Sequence, residues 1–466
     1  MIGNEFLQLL NRPASQGDWA ARSKALEGHA TLSTIRFADA HSQEAQNLIA
    51  MSYLSVFGRT VDQGGLSTYE DGLGGGMTQT DVRNSLAHST ESQSHIADLY
   101  QSVYGRAANS TDQAWAQGQL GNGTSLQQLR VSEAHNVESQ AHINDLYESV
   151  YGRGANSADQ SWAQDQLGNG SSLQQVRWNE AHNSEAQSHI QDLYRSVFSR
   201  DANASDQAWA QDQLGNGGSL QQLRWGQAHN QETAAHINGI YADALGRQAD
   251  AEGLAHFEDS IGSGLSLADS TFAIYSSSES ISYFSQYYQA ISGSSPTASV
   301  TSGIVAAFHD MIYVGTINLP QTPNNSPSGY TTNTGFPPNS YNYQTPFGYS
   351  LTLPIGATYA DVARAGAIAS ATFSVSSIYS AFKHDIGVGG LFDFQHDTKT
   401  MTTYTQRIDA GNYAVGVYCH QAGLPLMATV AVGTAYSVAV SGQFPSSRAV
   451  NMWLDGWTAA ALGYYP

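Results

Sequence analysis

Leu99-Tyr100-Gln101-Ser102-Val103-Tyr104-Gly105-Arg106 is one copy of a recurring stretch. Tyr147 to Arg153, Tyr194 to Arg200 and Tyr241 to Arg247 repeat it, and Tyr53 to Arg59 and Phe6 to Arg12 are weaker copies. The arginines stand at 12, 59, 106, 153, 200 and 247, a constant step of 47 residues. A fixed step of this length marks an array built from one stacking unit.

One unit reads outward from this stretch. Ile96, Leu99, Tyr100, Val103 and Tyr104 fall at i, i+3, i+4, i+7 and i+8, the spacing of an amphipathic helix, and Gly105 suits its C-terminal stop. Ser110-Thr111-Asp112 offers an N-cap for a second helix through Trp115 and Leu120, ended by Gly121-Asn122-Gly123. Ser125 starts a short third helix with Leu126, Leu129 and Val131, and Asn136-Val137-Glu138 opens the next long one. Such a module cannot bury its own apolar face and must stack on its neighbours. A seventh first helix, Ile281 to Ile291, is in register and is read as lacking a second half.

Two periodic residue types invite chemistry. His41, His88, His135, His182 and His229 recur, as do His95, His142, His189 and His236. A repeated metal site is the sharp reading, but no Cys or close ligand set accompanies them, so helix-boundary histidines that pack and hydrogen-bond are expected. Trp115, Trp162 and Trp209, with the tyrosines, could line a carbohydrate surface; at helical spacing the core reading is preferred.

Charge and composition narrow the function. Residues 1–299 hold 14 Lys+Arg and 32 Asp+Glu, and residues 300–466 hold 5 and 7. An acidic array is repelled by nucleic acid and by anionic membranes. The single cysteine, Cys419, excludes an intrachain disulfide. No apolar run is long enough to insert in a membrane. The start, Met1 to Glu5, has no basic segment or apolar core, so export is expected by a bacterial route without a conventional signal peptide.

The repeat resembles the domain-of-unknown-function 4214 family through Ile143-x-x-Leu146-Tyr147-x-x-Val150-Tyr151-Gly152-Arg153, then Trp162, then Leu167-Gly168-Asn169-Gly170-x-Ser172-Leu173, then Asn183-x-Glu185. The resemblance spans about residues 1–293 and implies a non-catalytic scaffold of an exported or cell-surface bacterial protein.

The fold class expected is mainly α: a helical repeat array over 1–293, a linker and loop-rich segment over 294–350, and a compact, mostly helical α+β domain over 351–466. In that last part, helices are expected over Tyr359 to Ala371, Phe373 to Lys383, Ala414 to Ala422 and Leu426 to Val440. A strand is expected over Thr402 to Arg407, a turn at Asp409 to Tyr413, and a last short helix after Asp455-Gly456-Trp457.

The C-terminal domain resembles the polymorphic toxin type 44 family through Phe392-Asp393-Phe394, then Asp409-Ala410-Gly411-Asn412-Tyr413-Ala414-Val415-Gly416, then Gly423. It departs from that pattern at Phe392, Gln395 and Val415. The resemblance implies a toxin domain at the tip of an exported repeat protein. Asp393 and Asp409 are its two carboxylates; brought together they would serve as general acid and base in glycoside cleavage. Asn412 and Tyr413 would orient substrate, and His384 and His396, each followed by an Asp, would suit a metal site or a general base. The competing reading of Asp409 and Asn412 is that they close a turn. Cys419 and His420 are adjacent on a helix and diverge, a poor dyad.

The expected function is an exported effector with a hydrolase that cleaves cell-wall glycan (peptidoglycan), without cofactor or metal, served by secretion machinery and a cognate immunity protein. The alternatives are a nuclease toxin and a non-enzymatic surface protein that binds glycans. The scarcity of cations after residue 300 makes nucleic acid the weaker substrate.

Overall fold

The computed structural model describes residues 2–315, 331–371, 374–400 and 402–464. Among the described residues it is mainly helical, with a few short strands, all after residue 330. Helices α1 (Ile2–Leu10), α2 (Gln16–Glu27) and α3 (Leu32–Ala40) form the first unit. The same three helices return every 47 residues as α4–α6 over 43–87, α7–α9 over 90–134, α10–α12 over 137–181, α13–α15 over 184–228 and α16–α18 over 231–275. Two compact bodies are formed, Met1–Asp192 with Ala202–Leu223, and Leu193–Asp201 with Arg224–Pro466.

Local chemistry sets each boundary. Long first helices start at Ser42, Ser89, Asn136, Asn230 and Ser277, whose side chains accept a backbone N–H of the first turn. They end at left-handed residues such as Gly105 (φ 71°) and Gly152 (φ 70°). In the fifth unit Ser199 takes that conformation without being a glycine (φ 55°).

The recurring arginine closes one unit on the next. Arg106 bonds Glu138 at 2.6 and 2.9 Å, in the first turn of the next long helix, and Asp112 at 2.6 Å. Arg12, Arg59 and Arg153 pair likewise with Glu44, Glu91 and Glu185, and in the second body Arg200 and Arg247 pair with Glu232 and Glu279. Tyr104 and Tyr151 are buried, each donating its hydroxyl to the buried carboxylates of Glu133 and Glu180.

A second arginine series, which no local motif sets apart, is more deeply placed. Arg130 Nε donates to Leu167 O at 2.7 Å, and its Nη2 donates to Ser171 O and Ser102 Oγ at 2.7 and 2.8 Å. Arg36, Arg83, Arg177 and Arg224 make the corresponding bonds to the end of the following unit's second helix. These residues satisfy carbonyls that a helix end leaves open.

The seventh unit reaches further than expected. After α19 (Ser278–Ser292), α20 (Ala298–His309) stands 47 residues beyond α17 (Ala251–Gly262), capped by Thr297 as α17 is by Asp250. The start of the expected linker is therefore the turn between two repeat helices. α20 runs on into a π-helical turn, Asp310–Val314, and the positions 47 residues beyond the third helix of the sixth unit lie almost wholly outside the described residues. The turn-former run Pro323 to Gly329 lies outside the described residues.

Strand β1 (Thr331–Asn333) follows, then the hairpin β2 (Ser340–Gln344) and β3 (Ser350–Pro354), so the expected cover does contain regular structure. Helices α21 (Tyr359–Ser370) and α22 (Val375–Asp385) lead to β4 (His396–Asp397) and β5 (Thr402–Tyr404). β5 pairs parallel with β1 and antiparallel with β4. The expected strand through Arg407 turns after Tyr404 into a 3-10 turn.

Helices α23 (Ile408–Gln421), α24 (Leu426–Ser441) and α25 (Ser447–Ala461) complete the fold. Ile408 to Cys419 are all buried in α23. The expected turn at Asp409 to Tyr413 is instead the first part of this central helix, and Asp455-Gly456-Trp457 lies inside α25. Small residues permit this packing: a side chain on Gly416 would run into the Trp453 carbonyl, and one on Gly456 into that of Tyr413. α24, apolar on all sides, packs on α25 and on the repeat helices α16 (Gln231–Leu245) and α19.

Candidate functional site

The loop after α22 turns back through Gly387 to Gly390, lays Gln395 against Gly411 of α23, and brings Phe392 to His396 onto one cavity with Asn412 and Val415. Asp393 is the residue that closes it. Its Oδ2 accepts from Gly389 N–H at 2.7 Å, and its Oδ1 accepts from His396 N–H at 3.2 Å. The His396 ring Nδ1 lies 2.6 Å from the same Oδ1. The side chains of both are buried, 4% and 1% exposed. A carboxylate at Nδ1 holds the proton there, which makes Nε2 the basic nitrogen.

Both residues line a small cavity of about 40 Å³, where Gln395, Asn412, Tyr436, Ser437 and Ser441 add further hydrogen-bonding side chains. Phe382, Ile386, Phe394, Val415 and Trp453 supply its apolar wall. Asn412 is fixed by α25: its Oδ1 accepts from Trp453 Nε1 at 3.0 Å. Its Nδ2 is buried without a hydrogen-bond partner among the described residues, and so is Gln395 Oε1. Gln395 lies across Gly411, one residue before Asn412; a Cβ there would touch its side chain at 3.6 Å.

Asp409, expected as the second carboxylate, is not in this cavity. Arg448 of α25 grips it through Nε at 3.0 and 3.1 Å and Nη2 at 2.8 Å. No local pattern of residues marks this bond, which joins positions 39 apart. Asp409 therefore ties α23 to α25, neither closing a turn nor facing Asp393 across the cavity. Tyr413 is fully buried, with its ring 4.8 Å from Tyr359 and 6.5 Å from Tyr343. It is in no position to stack on a ligand, and burial raises its hydroxyl pKa. His384 is exposed (78%) and bonds its neighbour Asp385 at 2.9 Å, away from the cavity.

Cys419 is buried with its thiol pKa pushed up by burial, and His420 sits edge-on to Trp457 with its pKa lowered by burial. They form no dyad. Of the predicted residues, the fold gathers Asp393, His396 and Asn412; it sends Asp409, Tyr413 and His384 elsewhere. Gln395 stands out in the sequence only as a departure from the toxin family's pattern.

In the array, His41, His88, His135, His182 and His229 cap the third helices, each Nδ1 lying 2.8–2.9 Å from the carbonyl four residues back. Among the described residues no group of three or more His, Cys, Asp or Glu is placed to hold a metal ion. The tryptophans depart from the core reading: Trp115, Trp162 and Trp209 are 43%, 38% and 44% exposed, while Tyr100, Tyr104, Tyr147 and Tyr151 are buried. Trp162 lines a shallow cleft with Tyr147, Asp159 and Asn179.

Residues 31–96 match the family model described as domain of unknown function (DUF4214). This stretch lies within the array, from α3 into α7 (Thr90–Tyr104). No curated protein and no solved structure matches the chain.

Proposed function

We propose that this chain is an exported bacterial effector whose repeat array positions a C-terminal hydrolase, with His396 as general base and Asp393 as the residue that orients it. The observation that carries the reading is the buried Asp393–His396 pair at 2.6 Å on the wall of a cavity. His396 accepts a proton from water as the oxygen attacks the anomeric carbon, and the leaving oxygen, on the opposite face of the sugar, takes its proton from solvent. Asp393 stabilises the imidazolium until it gives its proton back to solvent. The resemblance to the polymorphic toxin type 44 family supports the placement of a toxin module here, since Asp393 belongs to its first element.

Cell-wall glycan remains the favoured substrate over nucleic acid. Of the five cations after residue 300, Arg448 and Arg407 are held within the fold by Asp409 and Ser340, and the exposed Arg364 and Lys383 have partners on their own helices, Asp361 and the Tyr379 ring. Nucleic-acid enzymes present such groups to phosphates instead.

Incubating the full chain with purified peptidoglycan, RNA and DNA tests the reading. Peptidoglycan fragments are expected, and His396→Asn and Asp393→Asn each remove them while circular dichroism stays unchanged. Cleavage of RNA alone, or full activity of both variants, overturns it. The exposed Trp115, Trp162 and Trp209 favour a second reading, a surface protein that binds glycans along the array. Glycan retention lost on Trp162→Ala, with no product from any polymer, would select it.

A further inference from the structure

We propose that the cavity beside His396 is a recognition pocket for a pendant acetamido group on a glycan. The inference rests on the hydrolase reading for its substrate class and on the cavity's own chemistry for its specificity. Buried polar atoms in native proteins are paired, so each exception asks for a partner. Here the exceptions are complementary. Asn412, only 5% exposed and locked by Trp453, leaves a donor, Nδ2, without a partner among the described residues. Gln395 leaves an acceptor, Oε1, in the same state. Both line one cavity, and Gln395 lies over the helical turn that carries Asn412.

A secondary amide presents the matching pair: its carbonyl accepts from Asn412 Nδ2, and its N–H donates to Gln395 Oε1. The apolar wall of Phe394 and Val415 suits a methyl group. Size selects among amides. A space of about 40 Å³ admits a group of a few heavy atoms and no sugar ring. A peptide bond inside a chain continues on both sides and cannot enter. An acetamido group ends in a methyl and can. The glycan ring would then rest at the mouth, between Phe392 and the exposed Val440.

The test is calorimetric titration of the full chain with an N-acetylglucosamine trisaccharide and with its de-N-acetylated counterpart. The acetylated sugar is expected to bind at least about tenfold more tightly. Gln395→Met removes the acceptor at nearly constant shape. Asn412→Asp removes the donor while keeping Oδ1 for Trp453. Each should weaken binding about tenfold, with the unfolding temperature little changed in Gln395→Met and lowered in Asn412→Asp by its buried carboxyl, and a tripeptide with a free amino terminus should bind no better than the de-N-acetylated sugar. Equal binding of both sugars, no binding of either, or full affinity in both variants overturns the pocket and leaves it a water site. The two readings fail separately. Acetyl-selective binding with no cleavage sinks the hydrolase and keeps the pocket. Cleavage indifferent to acetylation sinks the pocket and keeps the hydrolase.

Discussion

Gly416→Ala in α23 adds one methyl where no space exists. A Cβ at that position would overlap the Trp453 carbonyl and lie 2.5 Å from Trp457 N and 2.9 Å from Gly456 C. Every one of these atoms is backbone of α25, so no side chain can swing aside. An ordinary contact needs about 3.4 Å or more, so the helices must part by about 1 Å. Overpacking of this kind costs about 1–3 kcal/mol, and rigid backbone on both sides puts this case at the upper end. The better helix propensity of alanine returns about 1 kcal/mol. The net expectation is about 2 kcal/mol of destabilisation, or roughly 4–8 °C in unfolding temperature for a body of this size. Parting α23 from α25 also draws Asn412 off Trp453 Nε1, which tryptophan fluorescence should report. Gly226→Ala is the control: it lies in the same body, inside a helix, and its Cβ meets nothing within 4 Å. That variant should gain about 0.5–1 kcal/mol. Equal stability of the two variants in urea unfolding would refute the close approach of α23 and α25.

The array offers a ranking. Arg130→Met strands two helix-end carbonyls and should cost about 2 kcal/mol in urea unfolding, whereas Arg106→Gln removes ion pairs on a side chain about one-third exposed and should cost less than about 1 kcal/mol. Ser199→Gly relieves a left-handed residue and should raise stability by about 0.5–1 kcal/mol, read by thermal unfolding. Asp243 is the pH-sensitive residue: burial pushes its pKa up to about 6. Its charged form is penalised only in the folded chain, so its destabilisation is full above pH 6, fades as pH falls towards 4, and vanishes below the unfolded value. Asp243→Asn should therefore stabilise at pH 7.5, by on the order of 1–2 kcal/mol after allowance for partial exposure, and match the parent at pH 4.

The array was legible because its information is local. Helix caps, left-handed glycines and apolar spacing act within one unit, and the period of 47 repeats them until they are unmistakable. Local pattern also misled: Trp115, Trp162 and Trp209 share a helical spacing with core residues, yet they face outward, because spacing fixes a face and not what covers it. Asp409 to Tyr413 reads as a turn by composition. Burial between α21 and α25 makes it the start of a helix, a case of tertiary packing overriding propensity.

The candidate site shows the same division. Asp393 and His396 lie three residues apart, and the sequence alone put both forward. Whether Asp393 or Asp409 faces a cavity depended on Arg448, 39 residues beyond Asp409, and on a helix contact set by Gly416 and Gly456. The chain writes its repeats and caps in neighbouring residues, because capping and helical periodicity act within a few positions. It leaves the partners of its carboxylates to contacts between distant helices, where sequence separation carries no record of distance in space.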